Sequence, residues 1–164
     1  VAAAVAGITL LCVGRLKEAC WTAACDEYLK RLRAAFSVDV VEVRQERLPE
    51  RPSKAEIERA IAAEGAGLLA RIPDGACIVA LCVEGRQMDS PSFSAFLRER
   101  MTGGTSHFAF IIGGPHGLAK EVKRRAQFRL SFSPMTFPHQ LARVMLLEQL
   151  YRACAISEGR PYHK

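Results

Sequence analysis

The chain has 164 residues, 49% of them hydrophobic, and a formal net charge of +6. That length and apolar content exclude a disordered chain and a scaffold dependent on cross-links, and predict a single domain over residues 1–164 with a sizeable core. Residues 1–114 carry 14 Lys and Arg against 14 Asp and Glu, while residues 115–164 carry 9 against 3. A neutral scaffold with a basic last third suits an anionic partner, nucleic acid foremost; a solvated cationic helix face is the plainer alternative.

The apolar run Val1–Val13 has no basic leader and is too short to span a bilayer, although it mimics a signal-peptide core. It reads as a short extension, Val1–Ala6, before a first strand, Ile8–Val13. From Ala19 to Phe36 the apolar positions Trp21, Cys25, Tyr28, Leu29, Leu32 and Phe36 recur at helical spacing. Val38–Val43 follows as a strand, with Val38 and Val40 facing inward and Asp39 and Glu42 outward. A charged loop with two prolines, Arg44–Pro52, is expected to be mobile. Ser53 and Glu56 have capping-box spacing for a helix reaching about Arg71, which Pro73-Asp74-Gly75 closes. The continuous apolar run Ala76–Val83 predicts a strand covered on both faces. Ser90-Pro91 supplies an N-cap and a first-turn proline for a helix to about Met101.

The strand Ser106–Ile112 runs into Gly113-Gly114-Pro115-His116-Gly117, a turn at which a ligand can approach the main chain and the N–H groups of the next helix start. That helix, Leu118–Gln127, is short and basic, and Phe128–Phe132 is a brief strand. Ser133–Pro138 is a second irregular loop, bracketed by prolines. Two such loops make a pocket plausible, and each taken alone is also compatible with an ordinary turn. The final helix, His139–Ser157, is apolar nearly all round and needs cover on two sides, which a second copy of the molecule in a two-fold dimer supplies. Strands alternating with helices predict a mainly parallel α/β sheet of about five strands with helices on both faces.

Motifs for other chemistries are missing. There is no P-loop, no GxGxxG after the first strand, no HExxH and no GxSxG, and the four histidines are scattered, so no metal site is expected. The six cysteines form no CxxC and read as reduced core residues of a cytoplasmic protein.

Ile111-Ile112-Gly113-Gly114-Pro115-His116-Gly117-Leu118, Leu130–Val144, Glu148–Ala153 and Pro161-Tyr162-His163-Lys164 together resemble the RlmH family, SPOUT-class methyltransferases of bacterial large-subunit ribosomal RNA. The resemblance runs from about Gly7 to the last residue. It implies a C-terminal trefoil knot and S-adenosylmethionine (SAM) held by Leu81, Gly113, Gly114 and the loop Phe132, Ser133, Pro134, Met135, Thr136 and Phe137. It also implies a homodimer in which the partner's tail completes the site, and methylation of N3 of a pseudouridine, with the assembled ribosome as the expected partner. His116 stands where relatives are expected to carry Glu or Asn.

In this scheme His163, with Tyr162 beside it on the partner's tail, orients or deprotonates the base, and His116 is the rival base. Arg152 and Arg143 hold phosphate or the developing imide anion, unless Arg143 pairs structurally within its own helix. Lys120, Lys123, Arg124 and Arg160 extend the RNA surface. A non-enzymatic RNA-binding or ribosome-assembly factor of the same fold, and a relative acting on transfer RNA, remain open alternatives.

Overall fold

The computed structural model describes residues 5–164, so most of the expected extension Val1–Ala6 lies outside the described residues. Among the described residues five strands and five helices alternate: β1 Ala6–Val13, α1 Ala19–Leu32, β2 Phe36–Val43, α2 Lys54–Leu69, β3 Cys77–Gln87, α3 Ser90–Thr102, β4 His107–Ile112, α4 Lys120–Arg125, β5 Phe128–Ser131 and α5 His139–Ser157. All strand pairings are parallel, in the order β2-β1-β4-β3-β5. The expected α/β sheet with helices on both faces is present.

Side-chain alternation along the central strands builds two cores. Ile8, Leu10 and Cys12 of β1, with Phe108, Phe110 and Ile112 of β4, point to the face covered by α1, α3 and α5. Leu11, Val13, Ala109 and Ile111 point to the other face, against Leu68 of α2 and Val122 of α4. Burial on both faces explains why β1 and β4 read as unbroken apolar runs.

Several boundaries differ from expectation. Phe36 opens β2 instead of closing α1, because the helix ends at Leu32 and Ala35 N–H turns back onto Leu32 O at 2.9 Å. The capping box forms as read, Ser53 Oγ accepting from Glu56 N–H and Glu56 Oε1 from Ser53 N–H, each at 3.1 Å. The N-cap of α3 is Asp89, not Ser90, since its carboxylate accepts from Ser92 N–H at 2.8 Å. β3 runs four residues past Val83, with an irregularity between Leu81 and Arg86 where it resumes pairing with β5. The cysteines are all free, but Cys20 is exposed and Cys82 only half-buried, so not all six belong to the core.

β2 corrects its inward and outward assignment. As an edge strand it leaves Val40 exposed, while Glu42, on the same face, reaches under α5 to Arg143. The last helix is covered more fully by its own protomer than its pattern suggested. It lies between α1 and α3 on the sheet, burying Leu146, Leu147, Leu150, Ala153 and Cys154, while Leu141, Met145 and Ile156 stay half-buried.

Candidate active site

The turn after β4 is built by its glycines. Gly117 adopts φ +90°, a region that favours glycine, and its N–H donates to Gly114 O at 3.0 Å, folding the turn shut. Gly113 is constrained by space: a Cβ there would stand 2.8 Å from both the carbonyl carbon and the carbonyl oxygen of Gly117. The loop after β5 is shaped by its own serines. Ser131 Oγ donates to Ser133 O at 3.1 Å, and Ser133 Oγ accepts from Met135 N–H at 3.0 Å.

These two bends and the end of β3 line one cavity of about 770 Å³. Leu81, Gly113, Gly114, Phe132, Ser133, Met135, Thr136 and Phe137 all face it; of the expected cofactor residues only Pro134 does not. The volume is that of a small-molecule site, and its walls combine apolar side chains, Leu81, Ile112 and Leu130 among them, with hydroxyls and backbone. The start of α4 contributes nothing to it. That helix has six residues and begins at Lys120, and the buried Leu118 and Ala119 separate it from the turn.

A second cavity of about 1110 Å³ lies alongside, formed by the segment after β1, the loop after β2 and α2. The two share Pro115, His116, His139 and Gln140 as a common wall. Burial, with Arg143 nearby, pushes the His139 imidazole below its usual value, so it is neutral near pH 7. Glu64, 8% exposed, reaches this wall from α2, and burial raises its carboxyl despite a hydrogen bond from Glu46 N–H and the proximity of His116. Neither His139 nor Glu64 stands out in the sequence: one reads as the end of a loop motif, the other as a polar position of an amphipathic helix.

The expected catalytic residues fall into two groups. His116 sits on the shared wall. Arg152, Tyr162 and His163 form a separate cluster along α5 and line neither cavity of their own protomer. Glu148 organises that cluster, accepting from Arg152 at 2.6 Å and from Tyr162 Oη at 3.1 Å, while Arg152 stacks on the Tyr162 ring at 4.7 Å. Arg152 also meets His163 Nδ1 at 3.3 Å. A guanidinium can only donate, so Nδ1 is the acceptor and the neutral ring carries its proton on Nε2. In that tautomer His163 offers a donor, which suits orienting a base better than deprotonating it.

The residues expected to contact RNA differ in exposure and pairing. Arg143 is a structural residue: it is 3% exposed, donates to Glu42 Oε2 at 2.9 Å and to Gly14 O at 3.3 Å, and has no partner for Nε. Its partner is on β2, not within its own helix. A phosphate cannot reach it without breaking this pair. Lys123 lines the first cavity but is held by Glu84; Arg124 is paired with Glu121, and Arg160 with Glu158 and Tyr151 Oη. Lys120 is exposed. Among the described residues no group of three or more metal-ligating side chains occurs and no helix is long and apolar enough to cross a membrane.

Comparison with known proteins defines the class. The family model described as "Predicted SPOUT methyltransferase" matches residues 7–163. The protein belongs to that family of methyltransferases. Among solved structures it is similar to a probable methyltransferase from Bordetella pertussis, with TM-score 0.54 and 13% identity over 91% of this protein and 96% of the other. It is also similar to a probable methylase family protein from Haemophilus influenzae, with TM-score 0.52 and 11% identity over 96% and 70%. At these identities the likeness establishes the fold. A Legionella pneumophila protein, TM-score 0.49 and 12% identical over 90% of this protein and 66% of its own length, is solved with bound SAM.

Proposed function

We propose that this methyltransferase uses SAM to methylate N3 of a pseudouridine in large-subunit ribosomal RNA, as the RlmH-like motifs imply, and that it works in the cytoplasm as a single-domain homodimer with a threaded C-terminal segment. The observation that carries the reading is the convergence of the β3 end, the glycine turn and the β5 loop on one cavity of about 770 Å³. The residues fit the cofactor: Leu81, Ile112 and Leu130 offer an apolar wall to a planar base, the Gly113–Gly117 backbone and Thr136 offer polar partners, and a Cβ at Gly113 would collide with the Gly117 backbone that shapes the turn. When bound, SAM supplies an electrophilic methyl group.

The protein's own residues supply placement and proton management. Holding the acceptor nitrogen in line can lower the barrier by about 7–11 kcal/mol when the geometry is ideal. The imide N3–H must lose its proton, and in this reading it passes to His116, which lines the wall between the two cavities. Arg152, Tyr162 and His163 are locked to α5 through Glu148, and none of them lines the cavity of its own protomer. A site that uses both groups therefore takes the tail from the partner copy, where His163 Nε2–H orients the base and Arg152 stabilises the developing imide anion.

Methyl incorporation from labelled SAM into ribosomal RNA, followed by mapping of the modified nucleotide, tests the reading. His116→Ala is expected to lower the rate about 10²- to 10⁴-fold, and His163→Ala to lower it less. Wild-type activity in His163→Ala removes the tail from the mechanism. A methyl group mapped to transfer RNA refutes the substrate.

A further inference from the structure

More than half of the cations in the basic last third are already paired. Lys123, Arg124, Arg143, Arg152 and Arg160 are each held by a carboxylate. The other four, Lys120, Arg125, Arg129 and Lys164, are exposed and form no ion pair among the described residues, but none of them lines either of the two large cavities. The first 47 residues, part of the charge-neutral stretch of sequence, behave differently. Arg15, Lys17, Arg44 and Arg47 are exposed, line the 1110 Å³ cavity together, and among the described residues form no ion pair.

Two tethers bring them together. Gly14, at φ +85°, turns the backbone out of β1, and its N–H donates to Val43 O at 2.8 Å, setting the segment after β1 against the loop after β2. Glu46 N–H donates to Glu64 Oε2 at 3.0 Å, pinning the Arg44–Arg47 segment to α2. The cleft's carboxylates offset the cations only in part. Glu42 is paired with Arg143 and Glu64 is buried and accepts from Glu46 N–H, which leaves Glu18 and Glu46 as the exposed, unpaired carboxylates beside four cations.

We propose that the cleft between the β1–α1 segment and the β2–α2 loop is the RNA backbone-binding surface of this enzyme, with Arg15, Lys17, Arg44 and Arg47 contacting phosphates. It abuts the cofactor cavity at Pro115, His116, His139 and Gln140, so a strand lying in it presents a base to that wall. The inference rests on the reading of the protein as an RNA methyltransferase and names the surface that holds the RNA.

The test is the salt dependence of binding to a fluorescent RNA hairpin with a uridine-containing loop, measured with the full-length protein. Each lost phosphate contact shallows the slope of log K against log salt by about 0.7–0.9. The variant Arg15→Gln/Lys17→Gln/Arg44→Gln/Arg47→Gln is expected to shallow it by about 3. In that variant SAM binding by calorimetry stays as in wild type, which reports that it is folded. Lys120→Gln/Arg124→Gln/Arg125→Gln is expected to change the slope by less than about 1. An unchanged slope in the cleft variant, or a larger effect from the α4 variant, overturns the inference while leaving the methyltransferase reading standing. Wild-type protein that binds neither the hairpin nor SAM removes both.

Discussion

Arg143 and Glu42 give the sharpest test of how the site is supported. The arginine side chain is 3% exposed and the glutamate 33%, so the two members of the pair do not cost the same to remove. Glu42→Ala leaves a buried guanidinium whose Nε already lacks a partner and whose one remaining acceptor is Gly14 O at 3.3 Å. Stranding a buried charge in this way costs about 3–5 kcal/mol. Arg143→Met leaves Glu42 able to recover water through its exposed third, so the loss is that of one charge-assisted bond and one carbonyl contact, about 2 kcal/mol after allowance for solvent screening. Replacing both, as Arg143→Met/Glu42→Val, is expected to come out near neutral, because neither charge is then left unpaired. For a protein of this length each kcal/mol shifts Tm by about 2–4 °C, so thermal melts should place Glu42→Ala roughly 10 °C below wild type and Arg143→Met roughly 5 °C below. Urea titration supplies the free energies. A reversed order refutes the reasoning, and so does an Arg143→Met protein of wild-type stability that has lost its affinity for RNA.

Gly113→Ala places a Cβ 2.8 Å from the Gly117 backbone, and the turn must shift at a cost of about 1–3 kcal/mol; calorimetry should show SAM affinity reduced roughly tenfold, and unchanged affinity would remove the turn from the cofactor cradle. Glu64 makes stability depend on pH. Its carboxyl is raised in the fold above the ordinary 4.5, so the folded state binds the proton more tightly than the unfolded state, and stability falls as pH rises from the ordinary carboxylate range through the folded value. Glu64→Gln keeps an acceptor for Glu46 N–H and should flatten that slope and be at least as stable as wild type at pH 7; a less stable variant with the slope intact contradicts the assignment.

Local sequence carried much of the architecture. Capping at Ser53 and Glu56, the unbroken apolar runs of β1, β3 and β4, and the glycine and proline loops depend on neighbours a few residues away, and they appear close to where the pattern put them. The two bends that line the 770 Å³ cavity were legible for the same reason, because glycine and proline turns are local features. Boundaries slipped where a one-residue choice of cap decided them, as at Asp89.

What the sequence by itself determined, then, was the order of elements, the alternation that buries both faces of the sheet and the two bends that make a pocket. Which charges are spent and which are free was decided only in three dimensions. Arg143 stood as a candidate to hold phosphate or to pair within its own helix until β2 placed Glu42 beneath it, 101 positions away in the sequence. Arg15 and Arg47 looked like scattered charges in a neutral stretch until the Gly14–Val43 and Glu46–Glu64 bonds set them around one cleft. Electrostatic pairing acts over a few ångströms of space and is blind to separation along the sequence, so composition by segment located the excess charge without locating the surface that can use it.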